Sequence, residues 1–385
     1  MSSLVLHNPV YTLDKKVLLP AKSLIGRKTL DTLIASSTKK QYKKFSLLNH
    51  GSVKNDLLDF LLKPNYKIIF AEQKKTKAVI SVLEKVRLIS PVLDSLDYFK
   101  KHDVYTYRHI LTVFALSTLL AMDMLTRRKD LLKEYLAGPT HDFGKICVPL
   151  KILKKSSPLT EDEKTVLEHH AVAGYVLLSY YYRDTHNFYA LVARDHHERK
   201  DGSGYPRGIK LKDRMIEIVA ASDVYDALVS KRPYRPTPYD NRSALDEIVV
   251  MAQKKQLSWK VVKALIALNR RSKPHYRDCK ISREMRESPP PKNVYGIIAK
   301  RGKRIRAKGN FKSAIKRIMK KTVCVKDYRC YTSGFADLCR AEYIGMDSYI
   351  LCVDNIQKCN FSLFFVDEYL CKCPVRIYIA KELKK

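Results

Sequence analysis

Eight of the eleven histidines in this chain lie between His102 and His197. Imidazoles gathered this way constrain the fold, because a metal site built from several helices leaves this kind of trace in a sequence. Five pieces carry the pattern. YTYRH supplies His109, and HDFGK supplies His141, Asp142 and Lys145. EHHAVAG supplies His170, with His169 beside it. DHHERKDGSGYPRG supplies His196, His197 and the stretch Gly204, Tyr205, Pro206 and Arg207, and ASDVYDAL supplies Asp223.

The surrounding text is helical. Val79, Ile80, Val82, Leu83, Val86, Ile89, Val92 and Leu93 recur at helical spacing, as do Ile110, Leu111, Phe114, Leu116, Leu119 and Leu120. Thr160 followed by Glu163 is a capping box that opens a helix through His170 toward Leu178. Ala244, Leu245, Ile248, Val249 and Met251 mark another. The expected fold class is mainly α, with a helical bundle at its core. Residues 1–75 read as a small N-terminal α/β leader, with a hairpin over Val10 to Leu24 about an Asp14-Lys15-Lys16 turn and a helix near Thr29 to Ser36. Residues 76–270 form the bundle. Residues 271–291 form a linker that ends in Pro289, Pro290 and Pro291. Residues 292–385 read as a basic, cysteine-containing, β-rich or mixed domain, with strands expected in SYILCVD and FSLFFVDEYL.

Taken singly, each motif has a plainer reading. A His-Asp pair is usually a surface or capping interaction, Gly202, Gly204 and Pro206 make an ordinary turn, and Arg199 with Lys200 makes a solvated face. Their joint occurrence over about 115 residues is far more specific. Neutral imidazoles and carboxylates suit octahedral divalent ions, and no cysteine stands at a ligand position, which weakens a thiolate zinc site. Asp142 has two oxygens and can bridge two ions. Two ions about 3.5–4 Å apart can hold a bridging hydroxide and clamp both the attacking and leaving oxygens of a phosphodiester.

These residues carry a resemblance. HDFGK, HHERKDGSGYP and SDVYDALVSKRPYR are similar to the hallmark blocks of the HD-GYP branch of the HD-domain phosphohydrolases, over about residues 95–260. The resemblance implies a cytoplasmic phosphodiesterase that opens cyclic di-GMP to linear pGpG, with GMP as a further product. It implies two divalent ions, iron or manganese ahead of magnesium. His109, His141, Asp142 and Asp223 would serve one ion and His170, His196 and His197 the other, with Asp142 shared. His170 is preferred to His169 because the family places its histidine four residues before a glycine, here Gly174. Lys145 would reach a phosphate oxygen, and Gly204, Tyr205, Pro206 and Arg207 would shape the substrate pocket or meet a signalling partner. Other expectations of the same site are an HD hydrolase of another nucleotide, such as cyclic GMP-AMP, and a messenger receptor with little turnover. Three departures stand out. Tyr105 replaces the glutamate with which some relatives hold a third metal, Lys200 replaces an aromatic, and Gly138-Pro139 would kink the helix ahead of His141.

Lysine and arginine number 73 against 39 acidic residues, a net charge of +34. Such a field attracts polyanions, although a solvated basic surface explains it as well. It is densest from Lys300 to Lys321, where eleven basic residues and no acidic one are interleaved with Phe311, Ile315 and Ile318. Nucleic acid or an anionic membrane surface is the partner expected there, against the alternative of a solvated amphipathic helix. No export signal or membrane span is read, and the nine cysteines form no repeating pattern, so reduced thiols in the cytoplasm are expected.

Overall fold

In the computed structural model, residues 4–36, 42–125, 138–281 and 297–298 are described, together with parts of 311–380. Two compact units divide the chain, Met1–Ala299 and Lys300–Lys385.

The first unit is built around one nearly all-apolar helix. Its helices, in order, are α1 (Arg27–Ser36), α2 (Val53–Leu61), α3 (Pro64–Lys67), α4 (Gln73–Glu84), α5 (Ser90–His102) and α6 (Val104–Met124). Two 3-10 turns follow, Gly138–Thr140 and Phe143–Cys147, and then α7 (Leu150–Leu153), α8 (Glu161–Tyr182), α9 (Phe188–Asp195), α10 (Arg214–Val229), α11 (Asn241–Gln253) and α12 (Trp259–Asn269). A helix buried all round has to sit at the centre of the packing, and α6 does so. Leu111, Phe114, Leu116 and Leu120 are fully enclosed, and α6 packs against α2, α4, α5 and α10. The few polar side chains on it, His109 and Thr112 among them, therefore need internal partners.

Helix starts are set by side-chain caps. Asp103 accepts the Thr106 backbone N–H at the head of α6. Thr160 and Glu163 complete the expected capping box of α8, and Glu161, Asp162 and Glu163 place negative charge at its positive end. Asp213 accepts the Ile216 N–H at α10, which fixes where Asp223 falls along that helix.

Short strands line the N-terminal part. Val10–Tyr11 pairs antiparallel with Val17–Leu19, as the hairpin reading expects, but Leu24–Ile25 pairs with Leu4–Val5 instead. The same hydrophobic core takes in Leu6, Val10, Ile25 and Leu30 together with the bundle residues. The segment before His141 is not a kinked α-helix: Gly138–Thr140 is a 3-10 turn. Among the described residues no helix is long and apolar enough to cross a membrane.

The second unit is mixed α and β among its described residues. A four-stranded antiparallel sheet runs in the order Ala341–Glu342, Ile350–Cys352, Glu368–Cys371, Ser362–Phe365. The helix Phe311–Met319 buries Ile315 against Val375 and Ile379. Pro289 to Pro291 and all of the basic run before Phe311 lie outside the described residues.

Candidate metal centre

Five separate pieces of chain deliver side chains to one buried spot. His109 comes from α6, His141 and Asp142 from the turns before α7, and His170 from α8. His196 and His197 follow the end of α9, and Asp223 comes from α10. Two groups of potential ligand atoms result, each with its members within 4.8 Å of one another: His109, His141 and Asp142, and His170, His196 and His197.

Asp142 stands between them. Its Oδ2 lies 3.4 Å from both His109 Nε2 and His141 Nε2. Its Oδ1 lies 3.5 Å from His170 Nε2 and 3.9 Å from His196 Nε2. Each carboxylate oxygen thus faces a different histidine group. Asp223 spans the groups from the other side, with Oδ1 3.0 Å from His109 Nε2 and Oδ2 3.9 Å from His197 Nδ1.

Close backbone approach makes this possible. A Cβ on Gly144 would collide with the His170 carbonyl oxygen and the Gly174 backbone. The glycine of HDFGK therefore lets the turn press against α8 and bring Asp142 to His170. The glycine four residues after His170 is the other side of the same contact.

The outer nitrogens orient the rings. His141 Nδ1–H donates to the Gly138 carbonyl at 2.6 Å, His170 Nδ1–H to Leu167 at 2.6 Å, and His196 Nδ1–H to Ala193 at 2.9 Å. A carbonyl only accepts, so these rings carry their proton on Nδ1 and present a bare Nε2. The bare atoms face one another: His170 Nε2 is 3.4 Å from His196 Nε2. Lone pairs opposed at that distance, with carboxylate oxygens beside them, repel unless a cation lies between. An all-nitrogen and oxygen donor set of this kind fits hard-to-borderline divalent ions, so the residues present match the two ions implied by the sequence.

Electrostatics favour the ligand forms. Burial lowers His170 to about 4 and His196 to about 3, which keeps both neutral at ordinary pH. Burial opposes ionisation of Asp142, but Lys145 and His141 beside it hold its carboxyl well below the usual range. Asp223 is likewise held down against burial by its contact with His109. His141 differs: burial lowers it, yet the adjacent Asp142 carboxylate outweighs this and raises it.

Several supporting residues escape a reading of the motifs. His109 Nδ1–H donates to Asp226 Oδ2 at 2.6 Å, and Asp226 also accepts from Tyr66, Thr112, Ser230 and Arg232. Asp226 stands one helical turn after Asp223 in ASDVYDAL, so the spacing could have revealed it. Tyr66 comes from the N-terminal segment, where no motif announces it. Glu198 is buried and accepts the backbone N–H groups of Arg207 and Ile209, which ties down the glycine-tyrosine-proline loop.

A cavity of about 390 Å³ opens on the centre. Lys145, Tyr205, Arg199, Arg232 and Arg235 line it. Lys145 Nζ lies 2.6 Å from Asp142 Oδ2. The Tyr205 ring stacks on His197 with centroids 4.5 Å apart. A Cβ at Gly204 would strike the His197 carbonyl, so this glycine serves packing. Arg207 points elsewhere, donating to Asp195 at 2.8 Å, and it is not among the cavity residues. His169 faces away from the cluster, toward the backbone of Pro9. Lys200 forms an ion pair with Glu217, and its backbone N–H bonds to Gln256, which anchors the loop.

Comparison with known proteins finds similarity over this part of the chain. Residues 92–257 match the family model described as HD domain. A "Cyclic di-GMP phosphodiesterase" of Thermotoga maritima is 34% identical over 220 residues, covering 56% of this chain and 58% of that protein. The "Cyclic di-GMP phosphodiesterase response regulator RpfG" of Xanthomonas campestris is 48% identical over 102 residues, 26% of this chain and 27% of that one. A "3'3'-cGAMP-specific phosphodiesterase 1" of Vibrio cholerae is 33% identical over 168 residues, 43% and 37% of the two chains. This chain therefore spans little more than half of the first relative's length, and less of the others.

Proposed function

We propose that this chain, whose residues 92–257 match the HD domain family model and which is similar to curated cyclic di-GMP phosphodiesterases, is an HD-GYP protein: a metal-dependent phosphodiesterase that hydrolyses cyclic di-GMP to linear pGpG in the cytoplasm. The observation that carries the proposal is Asp142, each of whose oxygens faces a separate histidine group. His109, His141, Asp142 and Asp223 would hold one divalent ion, and His170, His196 and His197 the other, with Asp142 shared. Such a pair, iron or manganese, supplies an acidified water and offsets the charge that builds on the phosphoryl oxygens.

The protein's own groups supply the rest. The Nδ1 hydrogen bonds hold each imidazole in one tautomer and one orientation, so no reorganisation is needed when substrate arrives. Lys145 sits at the cavity wall beside Asp142, within reach of a non-bridging phosphate oxygen, and Arg232 and Arg199 add positive charge. Tyr205 gives a flat face for a base or ribose, fixed by its stack on His197. Catalytic work is assigned to residues 76–270. The second unit is assigned a contact with an anionic partner, supported by the exposed Lys316 and Arg317 on a helix whose Ile315 is already buried, and by the exposed Lys320 just after it. The Vibrio relative supports a second substrate of the same class, 3'3'-cGAMP.

Protein purified without oxygen and loaded with Fe(II) or Mn(II) is incubated with cyclic di-GMP, and products are separated by chromatography. Formation of pGpG is expected. Intact substrate in protein of confirmed metal content refutes the proposal.

A further inference from the structure

The cavity over the metal centre does not end there. A second lobe of about 270 Å³ adjoins it, and Lys145, Leu167, Tyr205, Arg232 and Tyr234 line both. The walls of the second lobe are apolar at Ile152, Leu153, Leu159 and Ile298, and Tyr105 adds a ring.

Helix α8 connects the two lobes. Lys164, Leu167 and Glu168 share one face at helical spacing, one turn before His170. Leu167 faces both lobes, while Lys164 and Glu168 line the second one only. Lys164 Nζ and Glu168 Oε1 lie 3.8 Å apart, and both side chains are partly open to solvent. At that separation they are adjacent charges with no close hydrogen bond between them.

We propose that Lys164 and Glu168 form a guanine-reading pair, which selects the second base of a cyclic dinucleotide whose scissile phosphate sits at the metal centre. The inference rests on the proposed phosphodiesterase activity and adds its base preference. An ammonium is donor-only and a carboxylate acceptor-only. The Watson–Crick edge of guanine offers an acceptor, O6, beside two donors, N1–H and the N2 amino group. The donor and the two acceptors on α8 complement that edge in order. Adenine offers an amino donor beside a bare N1, and N1 meets the carboxylate lone pair to lone pair. Apolar walls and the Tyr105 and Tyr234 rings suit the faces of a purine.

The test compares wild type with Glu168→Gln and Lys164→Met, using kcat/KM for cyclic di-GMP and cyclic di-AMP. A good bidentate contact discriminates roughly tenfold to a hundredfold between bases. Wild type is expected to favour cyclic di-GMP by at least about tenfold on that basis. Glu168→Gln, whose amide matches adenine better, should narrow the ratio roughly tenfold, mainly through KM. Lys164→Met should weaken cyclic di-GMP without improving cyclic di-AMP. Calorimetric binding of both nucleotides to metal-free protein reads the same preference without turnover. It separates the two ideas: a guanine preference in binding with no hydrolysis sinks the activity alone, and hydrolysis with an unchanged base ratio in Glu168→Gln sinks the guanine pair alone. Equal binding of both nucleotides by wild type also overturns the pair.

Discussion

Replacing Asp226 by asparagine tests whether the histidine cluster is held from behind. Five donors converge on this carboxylate: Tyr66 at 2.5 Å, Thr112 at 2.7 Å and Ser230 at 3.0 Å on Oδ1, with His109 at 2.6 Å and Arg232 at 3.1 Å on Oδ2. Burial disfavours its charge, but the His109 hydrogen bond and Arg232 keep it ionised far below the usual carboxylate range. Asparagine keeps the outline and one oxygen for His109, so the ring stays in place. It removes the charge, and its amide presents N–H groups to hydroxyls that now donate. Arg232, only 8% exposed, loses its nearest counter-charge. Breaking a buried pair costs about 3–5 kcal/mol, and the nearby Asp142 and Asp223 also attract Arg232, which places the loss near the lower bound. At about 2–4 °C per kcal/mol for a domain of this size, the melting temperature should fall by about 6–12 °C. His109 then faces a neutral amide in place of a carboxylate, and loss of such a partner typically costs tenfold to a hundredfold in metal affinity. Calorimetric Mn(II) titration and a thermal melt read the two effects separately. If Asp226→Asn binds metal with wild-type affinity, Asp226 does not tune the site.

Three further outcomes follow from the same geometry. Gly144→Ala should destabilise by about 3 kcal/mol, the upper range for overpacking, because the added methyl meets backbone atoms of His170 and Gly174 and not a flexible side-chain end; the urea midpoint measures it. His170→Gln should abolish one ion in metal analysis, whereas His169→Gln should leave metal content intact, since His169 faces Pro9; equal losses would contradict the assignment. Metal-free protein should be acid-sensitive. His170 is neutral in the fold down to about pH 4, while the unfolded chain takes up that proton below about 6.5. Stability from this group is thus fully present above about pH 6.5 and falls by about 3 kcal/mol as the pH drops to about 4. Chemical denaturation across that range checks the sign, and rising stability on acidification would refute it.

Much of the centre is legible in the sequence because ligand chemistry restricts residue type and the helices restrict spacing. His109, His141, Asp142, His170, His196, His197 and Asp223 arrive at one place. His170 lies in the cluster, and Gly174, four residues on, is where the Asp142 turn presses in. What the motifs do not disclose depends on tertiary packing. Arg207 sits next to the loop proline, yet its direction is set by Asp195 on α9, and the cavity takes its cations from Lys145, Arg199, Arg232 and Arg235. Tyr66 reaches Asp226 across 160 positions of sequence, beyond any local pattern. Strand pairing shows the same limit. Runs of β-branched and aromatic residues point to Ile350–Cys352 and Ser362–Phe365, but their order in the sheet follows from contacts that no single run encodes.

Low-temperature electron paramagnetic resonance of Mn(II)-loaded protein asks most directly whether one carboxylate joins two ions. Two manganese ions sharing Asp142 should be exchange-coupled, with two metals per chain and a broad multiline spectrum that Asp142→Asn abolishes. A single ion per chain, or two ions giving only the six-line signal of isolated manganese, would contradict the shared centre.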